Sequence, residues 1–397
     1  MPRARAFRTP SRPRVALLIE SSRAYGRGLL QGIARYIRTH GPWSVSFQER
    51  RASDPPPAWL TQWRGDGIIA RVEDRALAKV IARLKVPAVD LRGLLRDLPH
   101  PLIETDDRLV VDAAAEHLLS RGFRHFAFCG FPGANYSDVR SELFTARLHR
   151  EGAPCHVYQP PRRLRSEASF KQEQQGLELE GDVGRWIRSL PKPLALLACN
   201  DIRGQQVLNV CRQHDIAVPE QVSVLGVDND TVLCELSDPP LSSVIPDTDR
   251  IGFEAAALLD RLMRGEAAPA GTTYIPPLGV ATRRSTEVLA VSDRHVATAI
   301  QFIRDNACAG ISVADVVASL PLSRSALERR FDAHLGRAPK AEILRVQIER
   351  AKQLLAESDL PLKTVAERCG FTHPEYLSVI FKKKTGTTPG RFRAKAR

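Results

Sequence analysis

The sequence predicts an α/β domain of two lobes followed by an all-α domain that holds two helix-turn-helix units. Three observations carry this. Short apolar, β-branched runs alternate with helical patterns from Arg14 to about Val280, the strand signal stops at Asp293, and the helical remainder repeats itself at a shift of fifty residues. A chain of 397 residues exceeds one ordinary compact domain, so two or three domains with separate cores are expected.

The α/β half is read from its strands. RVALLI opens at Arg14 and is followed by a helix from about Gly26 to Arg38; GIIAR precedes a helix near Ala76–Leu84. HFAFCGF (125–131), LALLAC (194–199) and VSVLGV (222–227) continue the rhythm, each followed by a polar or glycine-containing turn. Uninterrupted apolar strands separated by helices mean parallel, doubly wound sheets buried on both faces. About 270 residues are many for one open sheet, so two lobes with a cleft between them are expected. The Pro/Gly-rich stretch Pro269–Pro277 and the dense charge after Ser285 mark the end. The expected divisions are a basic tail (1–13), the α/β domain (14–285), a linker (286–294) and the helical domain (295–397).

Composition narrows the class. With 43% apolar and 26% charged residues the chain is an ordinary globular one, neither fibrous nor broadly disordered. No apolar run approaches the ~18 residues of a membrane helix, and no membrane partner is expected. The segment Met1–Arg14 has five arginines but no apolar core, so it is not read as a secretory signal and a cytoplasmic protein is expected. Seven cysteines, an odd number with no C-x-x-C pair, read as reduced core thiols. Residues 292–397 carry 19 Lys and Arg against 11 Asp and Glu, whereas the rest carries 39 against 34. That concentrated excess makes the helical domain the nucleic-acid candidate.

Within it, short turns carry Gly310, Pro321, Gly336 and Pro339, and Phe331, Gly336 and Pro339 superpose on Phe381, Gly386 and Pro389. Val317 stands six residues before Ser323, as Ala366 stands six before Thr372. Each copy is a helix, a turn and a second helix. Ser323 can cap a helix Arg324–Ala333, whose Leu327 and Phe331 form the buried stripe, leaving Arg324, Ser325, Glu328 and Arg329 outward to meet base edges. In the second copy Thr372 or His373 caps, Pro374 fits the first turn, and Leu377 and Phe381 are buried. His373, Glu375 and Ser378 then face out, and Lys382, Lys383 and Lys384 can neutralise phosphates. Lys340–Glu357 joins the copies as one amphipathic helix of roughly 27 Å, suited to two heads one turn apart on DNA. The plainer alternative is that these cations are a solvated face.

RAKQLLAESDLPLKTVAERCGFTHPEYLSVIFKKKTGTTPGRFR (350–393) resembles the signature of the AraC/XylS family, over about 100 residues of the chain. The resemblance implies two tethered helix-turn-helix units reading adjacent major grooves. Val379 departs from it, standing where many members carry a longer polar residue. Residues 14–285 resemble the periplasmic-binding-protein-like effector domain of the lac repressor family, on ACNDIRG (198–204), VSVLGVDND (222–230), LSSV (241–244) and Arg140 four residues before Phe144. That family carries its DNA head first; here only about thirteen residues precede the first strand. The combination resembles the xylose operon regulators of the XylR type.

By that resemblance Asn200, Asp228 and Arg140 lie on loops at strand ends facing the cleft. Asp and Asn can bridge vicinal hydroxyls and Arg donates in a rigid fork, a set suited to a polyol. The alternatives are that Asp228 and Asn200 satisfy their own turns and that Arg140 is a surface charge. Asp106 and the loop Ser21–Tyr25 are further candidates, while Trp186 is displaced from the position of a sugar-stacking aromatic. The expected function is a sequence-specific transcription regulator controlled by a xylose-like pentose; the rival is a sugar- or nucleotide-acting enzyme tethered to DNA. Expected partners are a double-stranded DNA operator, a small sugar, a second copy of the chain and RNA polymerase, with no cofactor or metal. Gly26, Gly28 and Gly32 imitate a dinucleotide fingerprint, one residue too long. His117, His125 and His149 read as helix or turn residues rather than metal ligands.

Overall fold

The computed structural model describes residues 12–51, 54–160, 180–287, 293–335 and 337–396. Most of the basic tail, the middle of the expected linker and Gly336 lie outside the described residues. The chain divides into two compact units, one of residues up to Asp215 with Val224–Glu287, the other of Ile216–Ser223 with Val288–Arg397.

The first unit begins with β1 (Arg14–Leu18), α1 (Ala24–His40), β2 (Ser44–Phe47), β3 (Gly67–Ala70), α2 (Arg75–Leu84), β4 (Ala88–Asp90) and β5 (Ile103–Thr105). There follow α3 (Asp107–Leu119), β6 (His125–Cys129), α4 (Asn135–Arg150), β7 (Cys155–Val157), α5 (Glu180–Ser189), β8 (Leu194–Ala198) and α6 (Asp201–Gln213). The last elements are β9 (Val222–Val227), α7 (Thr231–Leu236), β10 (Ser242–Ile245), α8 (Thr248–Met263), β11 (Thr273–Ile275) and β12 (Gly279–Ala281). One sheet runs β2-β1-β3-β4 with every pair parallel; the other runs β12-β10-β9-β8-β6-β7, with β12 antiparallel to β10. β5 pairs in parallel with β11. The chain thus leaves the first sheet after β4, builds the second from β6 to β10, comes back to the core beneath β1 in α8 and to β5 in β11, and ends in the second sheet at β12, which gives the two lobes.

β1 shows why the sheet is buried on both faces. Val15, Leu17 and Ile19 enter one core with Leu29 and Ile33 of α1 and with Ile251, Ala255 and Leu259 of α8. Ala16 and Leu18 enter the other with Leu60, Trp63, and Leu77 and Ile81 of α2. The glycines of α1 serve this packing and not a nucleotide. A Cβ at Gly32 would fall 1.9 Å from the Asp249 carbonyl oxygen, and one at Gly28 would fall 2.0 Å from the Thr248 hydroxyl, so α1 and α8 meet backbone to backbone. All seven cysteines are free thiols, five of them buried.

The second unit contains α9 (Arg294–Asn306), α10 (Val313–Ala318), α11 (Arg324–Leu335), α12 (Pro339–Glu357), α13 (Leu362–Arg368), α14 (Pro374–Thr385) and α15 (Pro389–Ala396). Segment 216–223 joins it through the buried pair Glu220–Arg304 (2.5 Å). Each copy has a core of its own. Val316, Leu327, Phe331 and Leu335 pack with α9 and with Ile343 of α12, whereas Val365, Ala366, Leu377 and Phe381 pack with Ile348, Ala351 and Leu355 of the same helix. Between the two cores lies Gln347, whose Nε2 donates to the carbonyls of Ala307 (2.9 Å) and Gly370 (3.3 Å). One buried amide therefore ties the backbones of both copies to the helix that connects them.

Candidate effector site and nucleic-acid interface

The first unit encloses a cavity of about 160 Å³, similar in size to the ~150 Å³ apolar cavity that takes up benzene, and so roomy enough for one small ring. Much of its polar lining comes from residues just past the carboxyl ends of strands: Glu20 after β1, Arg71 after β3, Asn200 and Asp201 after β8, and Asp228 and Asp230 after β9. That is where open parallel sheets place ligands, because side chains there are free of the ladder. Asp107, at the start of α3, and Arg140, in α4, join them, as do Arg23, Arg92, Arg96 and Glu104.

Arg140 is only 5% exposed, which rules out a surface charge. Its Nε donates to Asp107 Oδ1 at 2.7 Å and its Nη1 to the Cys199 carbonyl at 2.6 Å, so the guanidinium is fixed by two partners at the cavity wall. Asn200 both caps a helix and faces the cavity. Its Oδ1 caps α6 by accepting from the Arg203 amide (3.0 Å), while its Nδ2 donates to the Tyr136 hydroxyl (3.2 Å) in the lining. Asp228 stands at φ +108°, a left-handed backbone that an aspartate tolerates better than most residues and that turns β9 toward the cavity. Burial pushes its carboxyl up to about 6, against the opposing pull of Arg140, Arg71 and Arg23. Asp201 is buried deeper and is pushed up to about 8, first by burial and then by the charge of Asp228. It accepts from the Ser243 hydroxyl (2.6 Å) and the Asp230 amide (2.7 Å).

Two acceptors of the lining, Glu20 Oε2 and Asn135 Oδ1, are buried with no hydrogen-bond partner among the described residues. Glu20 holds Arg71 through its other oxygen. The aromatic walls are Tyr136, with the guanidinium of Arg140 5.5 Å from its ring centre, and Tyr25, hydrogen-bonded to Thr105 at 2.8 Å. Trp186 packs on Tyr158 instead.

Of the four expected ligand residues, Arg140, Asn200 and Asp228 come together here and Asp106 does not. The Asp106 carboxylate caps α3, accepting from the amides of Arg108 (3.0 Å) and Leu109 (3.1 Å); it is the next residue, Asp107, that reaches the cavity. The loop Ser21–Tyr25 contributes Arg23 and Tyr25. Glu20, Arg71, Asp107 and Asp201 were not singled out from the sequence, although position after a strand end was a usable signal for three of them.

In the second unit Arg324, Ser325, Glu328 and Arg329 are all exposed on α11, and Arg324 pairs with Glu328 one turn on (3.0 Å). Ser323 Oγ accepts from the Ala326 amide at 3.3 Å, the expected cap. On α14 His373, Glu375, Lys382 and Lys383 are exposed. Two expectations change there. His373 is the capping residue by backbone geometry but its side chain makes no capping bond, and Pro374 takes the first turn. Ser378 is half-buried and its hydroxyl donates to the Pro374 carbonyl (3.0 Å), which occupies its proton within the helix.

Comparison with known proteins agrees with this division. Residues 14–100 match the XylR N-terminal domain, residues 115–286 the periplasmic binding protein-like domain, and residues 316–395 a helix-turn-helix domain. The xylose operon regulatory protein of Escherichia coli (strain K12) is 32% identical over 393 residues, 96% of this chain and 97% of its own length. The chain belongs to the xylose operon regulator family. A member from Haemophilus influenzae is 31% identical over 388 residues, covering 96% of this chain and 98% of its own. The solved structure of the xylose-binding transcription activator xylR superposes with a TM-score of 0.81 at 31% identity, over 97% of this chain and 98% of that one. A lac-repressor-family regulator from Enterococcus faecium with bound ribose shares the fold of the first unit, with a TM-score of 0.54 at 20% identity over 68% of this chain and 97% of that one. Like its family, the chain is a DNA-binding transcription regulator: a periplasmic-binding-protein-like effector domain followed by a helix-turn-helix head. No helix among the described residues is long and apolar enough to cross a membrane.

Proposed function

We propose that this regulator binds a free pentose of the xylose type in the cavity of its first unit, and that occupancy sets its affinity for a DNA operator. The observation that carries the reading is the ring of strand-end donors and acceptors around a space of about 160 Å³, with Glu20 Oε2 and Asn135 Oδ1 lacking partners inside it. Buried acceptors without donors cost free energy, and a ligand made of hydroxyl groups supplies the missing donors. Asp228 accepts from two vicinal hydroxyls, Arg140 donates from its fixed guanidinium, Asn200 adds a polar contact, and Tyr25 and Tyr136 lie against the faces of the ring. On the DNA side α11 and α14 enter successive major grooves, Arg329 and Glu375 meeting base edges and Lys382 and Lys383 meeting phosphates. The protein works in the cytoplasm as a homodimer and, where it activates, contacts RNA polymerase.

A thermal-shift screen of pentoses and hexoses tests the reading. Xylose at a hundredfold its dissociation constant should add about 2.7 kcal/mol of stability, and Asp228→Ala should abolish the shift. A screen in which no sugar raises the melting temperature refutes the sugar reading, and turnover of the bound sugar would favour the enzyme alternative. Sedimentation at 44 kDa alone, with and without DNA, would contradict the dimer.

A further inference from the structure

The two recognition helices present different chemistry at the same geometric position. On α14 the buried stripe is Leu377 and Phe381. At about 100° per residue, Val379 points opposite to the midpoint of those two, so it occupies the centre of the outward face. Glu375 and Lys382 flank it on one side, Tyr376 and Lys383 on the other. Val379 is 64% exposed and Tyr376 45%, two of the large apolar side chains that the molecule leaves in solvent. The fifty-residue repeat puts Arg329 at the equivalent place on α11, opposite Leu327 and Phe331 and likewise exposed.

Nothing else on α14 can replace what Arg329 offers. The helix, PEYLSVIFKKKT, has no arginine, asparagine or glutamine to pair bidentately with guanine or adenine, and lysine is its one remaining partner for guanine. Its Ser378 proton is engaged with Pro374, and its lysines lie in the last turn, away from the amino-terminal residues that reach bases. An apolar group at the centre of a cationic face fits one feature of the major groove, the C5-methyl group of thymine. We propose that Val379, with Tyr376 beside it, reads a thymine methyl, so that at the position where α11 offers the Arg329 fork α14 adds an apolar contact to what Glu375 reads. The inference rests on the reading that α14 enters the major groove.

The test uses the full-length protein and duplexes selected with it from a randomised library. The best duplex is resynthesised with deoxyuridine for thymidine, one position at a time, which deletes single methyl groups and leaves base pairing intact. Affinities are measured by fluorescence anisotropy for the wild type and for Val379→Ala, an exposed position whose truncation leaves the core untouched. At one thymine, loss of the methyl should weaken the wild type about fourfold, the effect of exposing one methyl-sized group, and should weaken Val379→Ala less, only the Tyr376 contact remaining. The proposal is overturned if no deoxyuridine position weakens the wild type, or if the loss persists undiminished in Val379→Ala. Lys383→Ala separates this from failure of the underlying reading: if its affinity and salt dependence equal those of the wild type, α14 does not lie against DNA.

Discussion

Gly370→Ala should loosen the join between the two helix-turn-helix copies, and its size follows from the geometry. Gly370 sits at φ +76°, where a residue with a Cβ is disfavoured by about 1–2 kcal/mol. The new Cβ would also fall 2.7 Å from both the Ala307 carbonyl oxygen and the Gly310 amide nitrogen. These are backbone atoms, so no rotamer change relieves the clash and the turn after α9 must move. Moving it stretches the Gln347 bonds to Ala307 and Gly370 (2.9 and 3.3 Å), each worth about 1 kcal/mol. The sum is about 3–4 kcal/mol. Gly386→Ala is the control: its φ is also +76°, but nothing lies within 4 Å of the added Cβ, so only the backbone cost of about 1–2 kcal/mol applies. Hydrogen-exchange mass spectrometry on the full chain should show peptides of α12 exchanging on the order of several hundredfold faster in Gly370→Ala, with strands β6 and β8 unchanged. Equal effects of the two substitutions would refute the argument, because the packing contribution would then be nil.

Arg140→Lys keeps the charge but loses the fork that spans Asp107 and the Cys199 carbonyl, so xylose affinity should fall more than tenfold in calorimetry; unchanged affinity would remove Arg140 from the site. Asp201 and Asp228 hold protons more tightly folded than unfolded, their carboxyls standing at about 8 and about 6 against an unfolded value of 3.8. Between those values the folded state is the one carrying the extra proton, so stability from these groups falls as pH rises from about 4 to about 8. Melting temperatures of Asp201→Asn should therefore decline less than the wild type between pH 5 and 8; parallel profiles would contradict the assignment. Arg329→Ala should cost about 1–3 kcal/mol at one base pair and relax preference there, whereas Lys383→Ala should weaken all sequences alike and lower the salt slope by about one. Equal weakening of every site by Arg329→Ala would move that residue to the DNA backbone.

The larger features were legible because each rests on a repeated local rule. β1 reads as a strand buried on both faces since every residue from Val15 to Ile19 is apolar, and the structure sends alternate members to opposite cores. The duplicated head reads from a phenylalanine, a glycine and a proline recurring at fifty residues. Three-residue strands such as β4, β5 and β11 escaped because so short a run carries no period of its own; pairing with neighbours defines them. The inclusion of 216–223 in the second unit was equally invisible, since a buried ion pair across 84 positions leaves no local trace.

The site was legible to the extent that one function excluded another. In the pair Asp106-Asp107 the sequence offers two equivalent carboxylates, and only the start of α3 separates them: the residue before the first turn is consumed by the amides of Arg108 and Leu109, which leaves the next one for Arg140. The same capping logic, applied to Asn200-Asp201, fails to separate the two roles, because Asn200 has a donor as well as an acceptor and spends only the acceptor on the Arg203 amide. A capping aspartate at that position would have no proton for Tyr136. Asparagine at the cap and aspartate behind it is thus the arrangement that lets one strand end close a helix and face the cavity together, and the helix start, more than the strand end, decides which of two adjacent polar residues is left to face the cavity.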